Sequence, residues 1–326
     1  MRNSNIRIVF MGTPEFAVAP LQAIKSAGMN IVGVVTAPDK PAGRGKKLTP
    51  PAVKVYAGKS LECPVFQPEK LRDPEFVSKI ASLHADLFIV VAFRMLPEAV
   101  WSLPEQGTIN LHASLLPHYR GAAPINWCII NGEKETGLTT FLIDREIDTG
   151  RILLQEKMTI GEDENAGSLH DRMMETGAAL LVETIEKVMN DKVEPVDQVS
   201  FNIPPGQLKK APRIHKEDCR IDWNQDSEKI FNFIRGLSPF PGAFTLLEDP
   251  DDNRSTLKIF ASKRTADEPG AAQPGTLRSD NTSILKVKTG DGWLELTSLQ
   301  AAGKKRLKAA DFLRGFREDI TTFKVQ

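Results

Sequence analysis

Three polar side chains in the middle of the chain are of the types that catalyse acyl transfer. Asn110 and His112 lie two residues apart at the end of Gly107-Thr108-Ile109, a short run whose β-branched side chains favour a strand. Residues two apart on a strand point to the same face, so the amide and the imidazole project together. An amide can donate a hydrogen bond to a developing oxyanion, and an imidazole can transfer a proton. Asp148 lies further along the chain in Ile147-Asp148-Thr149-Gly150, and its carboxylate beside these groups would complete a site for polarising a carbonyl.

The composition is that of an ordinary globular protein. Its 326 residues exceed a single typical core, which predicts two domains. The formal net charge is zero and 26% of the residues are charged, so the whole chain gives no global sign of nucleic-acid binding. The three cysteines fit neither a zinc motif nor a disulfide framework, and the apolar run before Gly12 is too short for a signal peptide. With no stretch of membrane-spanning length, these features predict a cytoplasmic protein without a membrane partner.

Residues 1–190 alternate apolar strand-like runs with helical segments. This pattern predicts an α/β domain with a mainly parallel sheet. Residues 86–93 are almost all apolar, as expected of a strand that is buried on both faces. The predicted strands are 6–11, 31–36, 86–93, 108–112, 138–143 and 152–160, and the predicted helices are 17–27, 124–131 and 167–189.

The pattern changes after Asn190. Residues 191–215 contain four prolines and little periodicity, which predicts a linker between domains. Residues 216–326 contain one helical segment, 227–235, followed by short strand-like runs that turn residues separate. These runs are 243–247, 256–261, 283–289 and 292–299, and they predict a second, smaller domain built as a β-barrel or sandwich.

Several longer segments are similar to a known family. They are Phe10–Phe16 (FMGTPEF), Pro38–Leu48 (PDKPAGRGKKL), Asn110–Trp127 (NLHASLLPHYRGAAPINW), Ile147–Gly150 (IDTG), Gly303–Arg306 (GKKR) and Asp311–Gly315 (DFLRG). With these segments the chain resembles the folate-dependent formyltransferases, and among them those that act on methionyl-tRNA. The similarity spans essentially the whole chain. It implies an N-terminal Rossmann-like formyltransferase domain and a C-terminal OB-like barrel that binds tRNA.

The resemblance implies a reaction for the three polar groups. The formyl group of 10-formyltetrahydrofolate would pass to the α-amine of methionine on initiator tRNA, for translation initiation. Asn110 would donate to the oxyanion, and His112 would donate as well or would protonate the departing folate nitrogen. Asp148 would keep His112 charged or order a water that removes the amine proton. A metal site at His112, His118 and Asp148 has suitable ligand types, but the spacing matches no zinc motif, so we expect no metal.

The resemblance also implies where the two substrates bind. The folate would lie along Ser114, Leu115, Leu116 and Pro117, against Phe93, Arg94 and Leu96. The basic loop 38–48 would contact the acceptor end of the tRNA through Lys40, Arg44, Lys46 and Lys47. Further phosphate contacts would come from Lys209, Lys210, Lys304, Lys305 and Arg306. Each of these cations could instead be an ordinary exposed residue.

Two other functions compete with this interpretation. A formyltransferase for a small amine, such as a ribonucleotide or an amino sugar, would share the three catalytic residues; the basic loop and the second domain argue against the ribonucleotide enzyme, which would need neither. A noncatalytic RNA-binding protein would not need all three catalytic residues.

The chain departs from the family pattern at two positions. They are His118, where relatives often carry Arg or Lys, and Glu146, where many carry Gly. We expect a monomer.

Overall fold

The computed structural model describes residues 6–42, 47–268 and 270–326. The chain forms two compact units that interleave in sequence. The first unit comprises the described part of Met1–Gly121 together with Glu135–Thr159 and His170–Lys210, and the second comprises Ala122–Lys134, Ile160–Leu169 and Ala211–Gln326. The domain limits predicted at 190 and 215 stay a prediction.

The chain contains strands and helices throughout both units. In chain order the strands are β1 (Arg7–Gly12), β2 (Asn30–Val35), β3 (Lys40–Ala42), β4 (Lys47–Thr49), β5 (Val65–Phe66), β6 (Leu87–Val91), β7 (Thr108–His112), β8 (Arg120–Gly121), β9 (Glu135–Leu142), β10 (Ile152–Thr159), β11 (Lys210–Ala211), β12 (Ala243–Glu248), β13 (Arg254–Arg264), β14 (Leu277–Ser279), β15 (Leu285–Lys288), β16 (Trp293–Ala301), β17 (Leu307–Lys308) and β18 (Lys324–Val325). The α-helices are α1 (Val18–Ser26), α2 (Ala52–Ser60), α3 (Pro74–Ala81), α4 (Glu98–Trp101), α5 (Pro124–Ile130), α6 (Ala166–Met189), α7 (Ser227–Gly236) and α8 (Ala309–Arg314).

The first unit is built on a seven-stranded sheet with the order β10-β9-β7-β6-β1-β2-β5. The five strands from β7 to β5 run parallel, whereas β9 is antiparallel to β7 and β10 is antiparallel to β9. The predicted α/β class with a mainly parallel sheet is therefore confirmed. All five residues of β6 are buried, as its apolar run predicts. This strand ends earlier than predicted because Ala92 has a positive φ of 45°, which takes the backbone out of the extended region.

The strand that carries Asn110 and His112 lies inside this sheet, with β6 on one side and β9 on the other. Its bounds are those predicted. Asn110 stands opposite Val90 of β6 and Phe141 of β9. The strand therefore ends at the carboxyl edge of the parallel sheet, which is where open α/β folds bind their ligands.

The second unit contains an antiparallel sheet with the order β14-β15-β16-β13-β12-β18, and β17 pairs with β16. A bridge between Thr276 and Lys324 brings its two ends together and nearly closes the barrel. The buried side chains of α7, Ile230 and Ile234 among them, belong to the same apolar core as the barrel strands. The predicted small β-barrel is therefore confirmed. Among the described helices, none has the length and apolar character needed to span a bilayer.

Candidate active site

The amide of Asn110 is available to a bound group. Its residue is partly buried at the end of β7, and its side chain forms no hydrogen bond with another described residue. A partly buried amide that has no partner among the described residues can donate an N–H to a substrate oxygen. His112, two residues further on, is only 7% exposed.

The turn between β9 and β10 brings Asp148 to His112. Asp148 has a positive φ of 55°. A Cβ atom on Gly150 would lie 1.7 Å from the carbonyl oxygen of Leu142, so only glycine fits where the turn packs against the end of β9. Within the turn, Asp144 accepts hydrogen bonds from the Thr149 hydroxyl and the Glu146 N–H. The distance from Nδ1 of His112 to Oδ2 of Asp148 is 3.8 Å.

Hydrogen bonds with main-chain groups fix the orientation of this pair. Nε2 of His112 lies 3.0 Å from the carbonyl oxygen of Tyr119, which can only accept, so Nε2 carries a hydrogen. The other ring nitrogen, Nδ1, then faces Asp148 and can exchange a proton. Oδ2 of Asp148 accepts a hydrogen bond of 2.9 Å from the N–H of Gly121. The short segment Tyr119–Gly121 therefore holds both members of the pair.

A residue that sequence reasoning missed supports the same turn. Gln198 is only 5% exposed and lies in the 3₁₀ turn Gln198–Phe201, inside the segment predicted to be a linker. Its Nε2 donates to the carbonyl oxygens of Asp148 and Gly150, at 2.9 and 2.8 Å. Its Oε1 accepts from Nε and Nη2 of Arg120, at 3.0 and 2.6 Å. A single glutamine in an aperiodic segment gives no local sign of such contacts.

The loop predicted to lie along the folate is fixed by Thr139. Ser114 is fully buried, and its hydroxyl donates to the carbonyl of His118. The hydroxyl of Thr139 donates to the Ser114 carbonyl at 2.7 Å and accepts from the Leu116 N–H at 3.1 Å. Gln155 donates both to the Leu116 carbonyl and to the Thr139 hydroxyl. The Ser114 hydroxyl is thus engaged within the protein and shapes the loop from inside.

The other members of the predicted folate set lie in different surroundings. Pro117 and Leu96 are buried, whereas Leu115 and Phe93 are partly buried. The guanidinium of Arg94 lies 5.4 Å from the centre of the Phe93 ring and donates to the carbonyls of Pro68 and Glu69. Burial lowers the pKa of Arg94. This side chain is therefore held by the protein rather than free in solvent.

Comparison with known proteins decides the family. The model of the family "Formyl transferase" matches residues 6–185, and that of "Formyl transferase, C-terminal domain" matches residues 213–317. The chain belongs to the formyl transferase family. A methionyl-tRNA formyltransferase of Parabacteroides distasonis is 50% identical to it, over 98% of each chain. A methionyl-tRNA formyltransferase of Bacteroides thetaiotaomicron is 49% identical, over 97% of this chain and 98% of its own.

Solved structures share the fold at lower identity. WlaRD, a sugar 3N-formyl transferase crystallised in the presence of dTDP and 5-N-formyl-THF, has a TM-score of 0.62 at 20% identity, over 92% of this chain and 99% of its own. HypX from Aquifex aeolicus in complex with tetrahydrofolic acid also has a TM-score of 0.62, at 18% identity over 97% of this chain. The matched part is 49% of HypX, so this formyl transferase spans about half of that protein. At these identities the likeness shows the fold alone.

The cations predicted to contact tRNA lie on three separate segments. Arg44 and Lys46 fall outside the described residues, as does the side chain of Lys47. Lys40, Lys209, Lys210, Lys304, Lys305 and Arg306 are exposed. Arg306 is partly constrained, because its guanidinium lies 4.5 Å from the Phe260 ring centre and its Nε donates to Ser298. In the part of the chain that the structure describes, no three His, Cys, Asp or Glu residues cluster as metal ligands would.

Proposed function

We propose that this formyl transferase moves the formyl group of its substrate 10-formyltetrahydrofolate to the α-amine of methionyl initiator tRNA, for translation initiation. Relatives named methionyl-tRNA formyltransferase, which are about half identical over nearly the full chain, support the choice of acceptor. One observation carries the chemistry: Asn110, whose amide has no partner within the described part of the chain, shares a strand with His112, whose Nδ1 faces Asp148 at 3.8 Å.

The nucleophile needs little activation. A free α-amine has a pKa of about 8 and the adjacent ester lowers it, so a substantial fraction of the substrate amine is neutral near pH 7. The amine nitrogen forms a bond to the formyl carbon, and the carbonyl electron pair moves to oxygen. Asn110 donates a hydrogen bond to that oxyanion. Aligning the two substrates and stabilising this charge supply most of the acceleration.

Collapse of the intermediate completes the transfer. The bond between the formyl carbon and the folate nitrogen breaks as the carbonyl re-forms. The attacking nitrogen loses a proton and the departing nitrogen gains one, so the net reaction needs no other reactant. His112 and Asp148 handle these two proton transfers, because Nε2 of His112 is already bonded to the Tyr119 carbonyl and Nδ1 remains for exchange.

The acceptor is large, and the chain has features suited to it. The basic loop 38–48 carries Lys40, Arg44, Lys46 and Lys47, and cations of this kind pair with phosphates. Asp39, the acidic residue of this loop, is paired with Lys54 at 2.8 Å and with Gln67. Its charge therefore offsets Lys54 rather than the cations of the loop.

Transfer of labelled formyl from 10-formyltetrahydrofolate tests the proposal. Charged initiator tRNA should accept the label, and charged elongator methionine tRNA should accept far less. A nucleotide-linked amino sugar serves as the small-amine comparison. Label on the amino sugar but not on tRNA would replace this function by that of a sugar enzyme. Binding of tRNA without transfer to any amine would indicate a noncatalytic RNA-binding protein.

A further inference from the structure

We infer that Gln198 is a positioning residue that holds Asp148 in its catalytic place through the protein backbone. The inference rests on the proposed function. Gln198 touches neither His112 nor the carboxylate of Asp148 in any described contact; its amide binds the carbonyl oxygens of Asp148 and Gly150 instead. It therefore fixes the main chain on both sides of Thr149.

The orientation of the Gln198 amide follows from its partners. A guanidinium can only donate, so the amide oxygen faces Arg120. Carbonyl oxygens can only accept, so the amide nitrogen faces Asp148 and Gly150. Both N–H groups and both lone pairs are used. A buried polar group that is fully bonded in this way rigidifies its surroundings.

The backbone of Asp148 benefits from such support. A positive φ of 55° is uncommon outside glycine, and although an aspartate tolerates it better than most residues, contacts with neighbouring groups favour it over the more common conformations. The carboxylate itself has one hydrogen bond among the described residues, from Gly121. The main-chain contacts with Gln198 therefore carry much of the restraint.

Gln198 also joins the two segments that hold the catalytic pair. The amide oxygen of Gln198 accepts from Arg120, which lies between Tyr119 and Gly121 in the chain. The carbonyl of Tyr119 binds His112, and the N–H of Gly121 binds Asp148. On the other side, the amide nitrogen of Gln198 binds the turn that carries Asp148. Loss of the link lets the two segments shift relative to each other, and a misplacement of about 1 Å can lower a rate about 100-fold.

Two substitutions distinguish the positioning of Asp148 by Gln198 from a role of Gln198 that is limited to binding Arg120. Gln198→Glu keeps an acceptor for Arg120 but cannot donate to the two carbonyls. Gln198→Met keeps the length of the side chain and loses both sets of bonds. If Gln198 positions Asp148, both variants should lower kcat about 10- to 100-fold with little change in either KM. Gln22→Glu, on the exposed face of α1, is the matched control and should retain wild-type kcat.

A double-mutant cycle gives the decisive reading. In an Asp148→Ala background, adding Gln198→Glu should cost less than about 2-fold in single-turnover rate, since nothing remains to be positioned. The inference would be overturned if the losses in single-turnover rate of the two single variants multiplied in the double variant. It would also be overturned if Gln198→Glu kept the wild-type kcat.

A second measurement does not depend on the reaction. Hydrogen exchange of a peptide covering 144–150 should be faster in both Gln198 variants, and the increase there should exceed that of peptides from β1 and β6, which report any general loss of stability. Unchanged exchange would also overturn the inference. Failure of the wild type to formylate tRNA would overturn the proposed function, and the exchange result would still decide whether Gln198 holds the turn.

Discussion

Asn110 allows catalysis to be separated from stability at a single residue. Its amide has no hydrogen bond with another described residue, so removing it leaves no partner unsatisfied. Asn110→Ala and Asn110→Asp should lower kcat at least about 100-fold, because loss of one oxyanion donor costs about 2.7–4 kcal/mol of barrier. Thermal unfolding should change little. The measurement is steady-state formylation of charged initiator tRNA.

Asn30→Asp provides the control for the added charge, since Asn30 is exposed at the start of β2. It should retain full activity. Turnover within a factor of about 3 of the wild type in Asn110→Ala would remove Asn110 from the proposed mechanism, because an oxyanion donor contributes far more than that.

At the scale of residues, the sequence was informative wherever the proposed mechanism uses a side chain. Asn110 and His112 follow from strand geometry, and the structure brings Asp148 to His112. The supporting contacts were not predictable in the same way. Those of Tyr119 and Gly121 come from the main chain, which carries no residue-type signal. Gln198 acts across a long stretch of chain, and nothing near it in sequence marks its partners.

Strand β9 is the element that shapes the predicted folate loop, and two of its threonines differ in a testable way. Thr139 is fully buried and its hydroxyl bonds Ser114, Leu116 and Gln155. Thr139→Val would remove the partner of the buried Ser114 carbonyl and of the buried Leu116 N–H, and a buried group left unsatisfied costs about 1–3 kcal/mol. We expect a clear fall in the free energy of unfolding and a rise in the KM for 10-formyltetrahydrofolate.

Thr136, on the same strand, is the matched control. Its hydroxyl is buried without a hydrogen-bond partner among the described residues. Thr136→Val should therefore be neutral or stabilising, because it removes an unsatisfied polar group and preserves volume. Urea unfolding of the two variants measures the difference. Equal destabilisation by both substitutions would show that the loss of a hydroxyl, rather than of its bonds, is what matters.

The loop 38–48 is the element on which selection of the tRNA acceptor depends in our proposal. Arg44 lies in its basic stretch, outside the described residues. Arg44→Ala should raise the KM for methionyl-tRNA about 10-fold or more, as expected when a cation that pairs with phosphate is lost, and leave the KM for the folate unchanged. Arg72→Ala, an exposed arginine elsewhere in the first unit, should change neither constant. An equal rise in both constants for Arg44→Ala would contradict an RNA-binding role for the loop.

The same elements show where sequence patterns are reliable. Strand β7 was predicted with its observed limits, because it begins with the β-branched residues Thr108 and Ile109 and is buried along nearly all of its length. Residues 307–308 and 324–325 form short strands that were missed, since two-residue strands have no measurable alternation. Pairing within the barrel, rather than local preference, determines such elements.

At the scale of the whole molecule, the carboxylates that have a lowered pKa are distributed unevenly between the two units. Most of those whose pKa is lowered lie in the second unit: Asp222, Asp226, Glu228, Asp249, Asp280, Asp291 and Asp319. In the first unit, hydrogen bonds from Gln67 and Lys54 lower the pKa of Asp39. The pKa of Asp280 is lowered most, and the largest causes are the hydrogen bonds that its carboxylate accepts from the backbone N–H groups of Ile284 and Ser283. Asp249 and Asp280 lie in turns between barrel strands and accept hydrogen bonds from backbone N–H groups of those turns, whereas Asp226 caps α7 and Glu228 pairs with Arg264.

These lowered pKa values predict that the second unit is the more sensitive to acid. A carboxyl group that ionises more readily in the folded state contributes stability above its ordinary pKa of about 4, and that contribution is lost as the pH falls through 4 towards the lowered value. Between about pH 5 and pH 2, peptides from the barrel should therefore lose protection from hydrogen exchange before peptides from β1, β6 and β7. Asp280→Asn keeps an acceptor oxygen but cannot titrate, so its free energy of unfolding should depend less steeply on pH. Earlier loss of protection in the parallel sheet would contradict the assignment, because it would place the dominant acid-labile groups in the first unit.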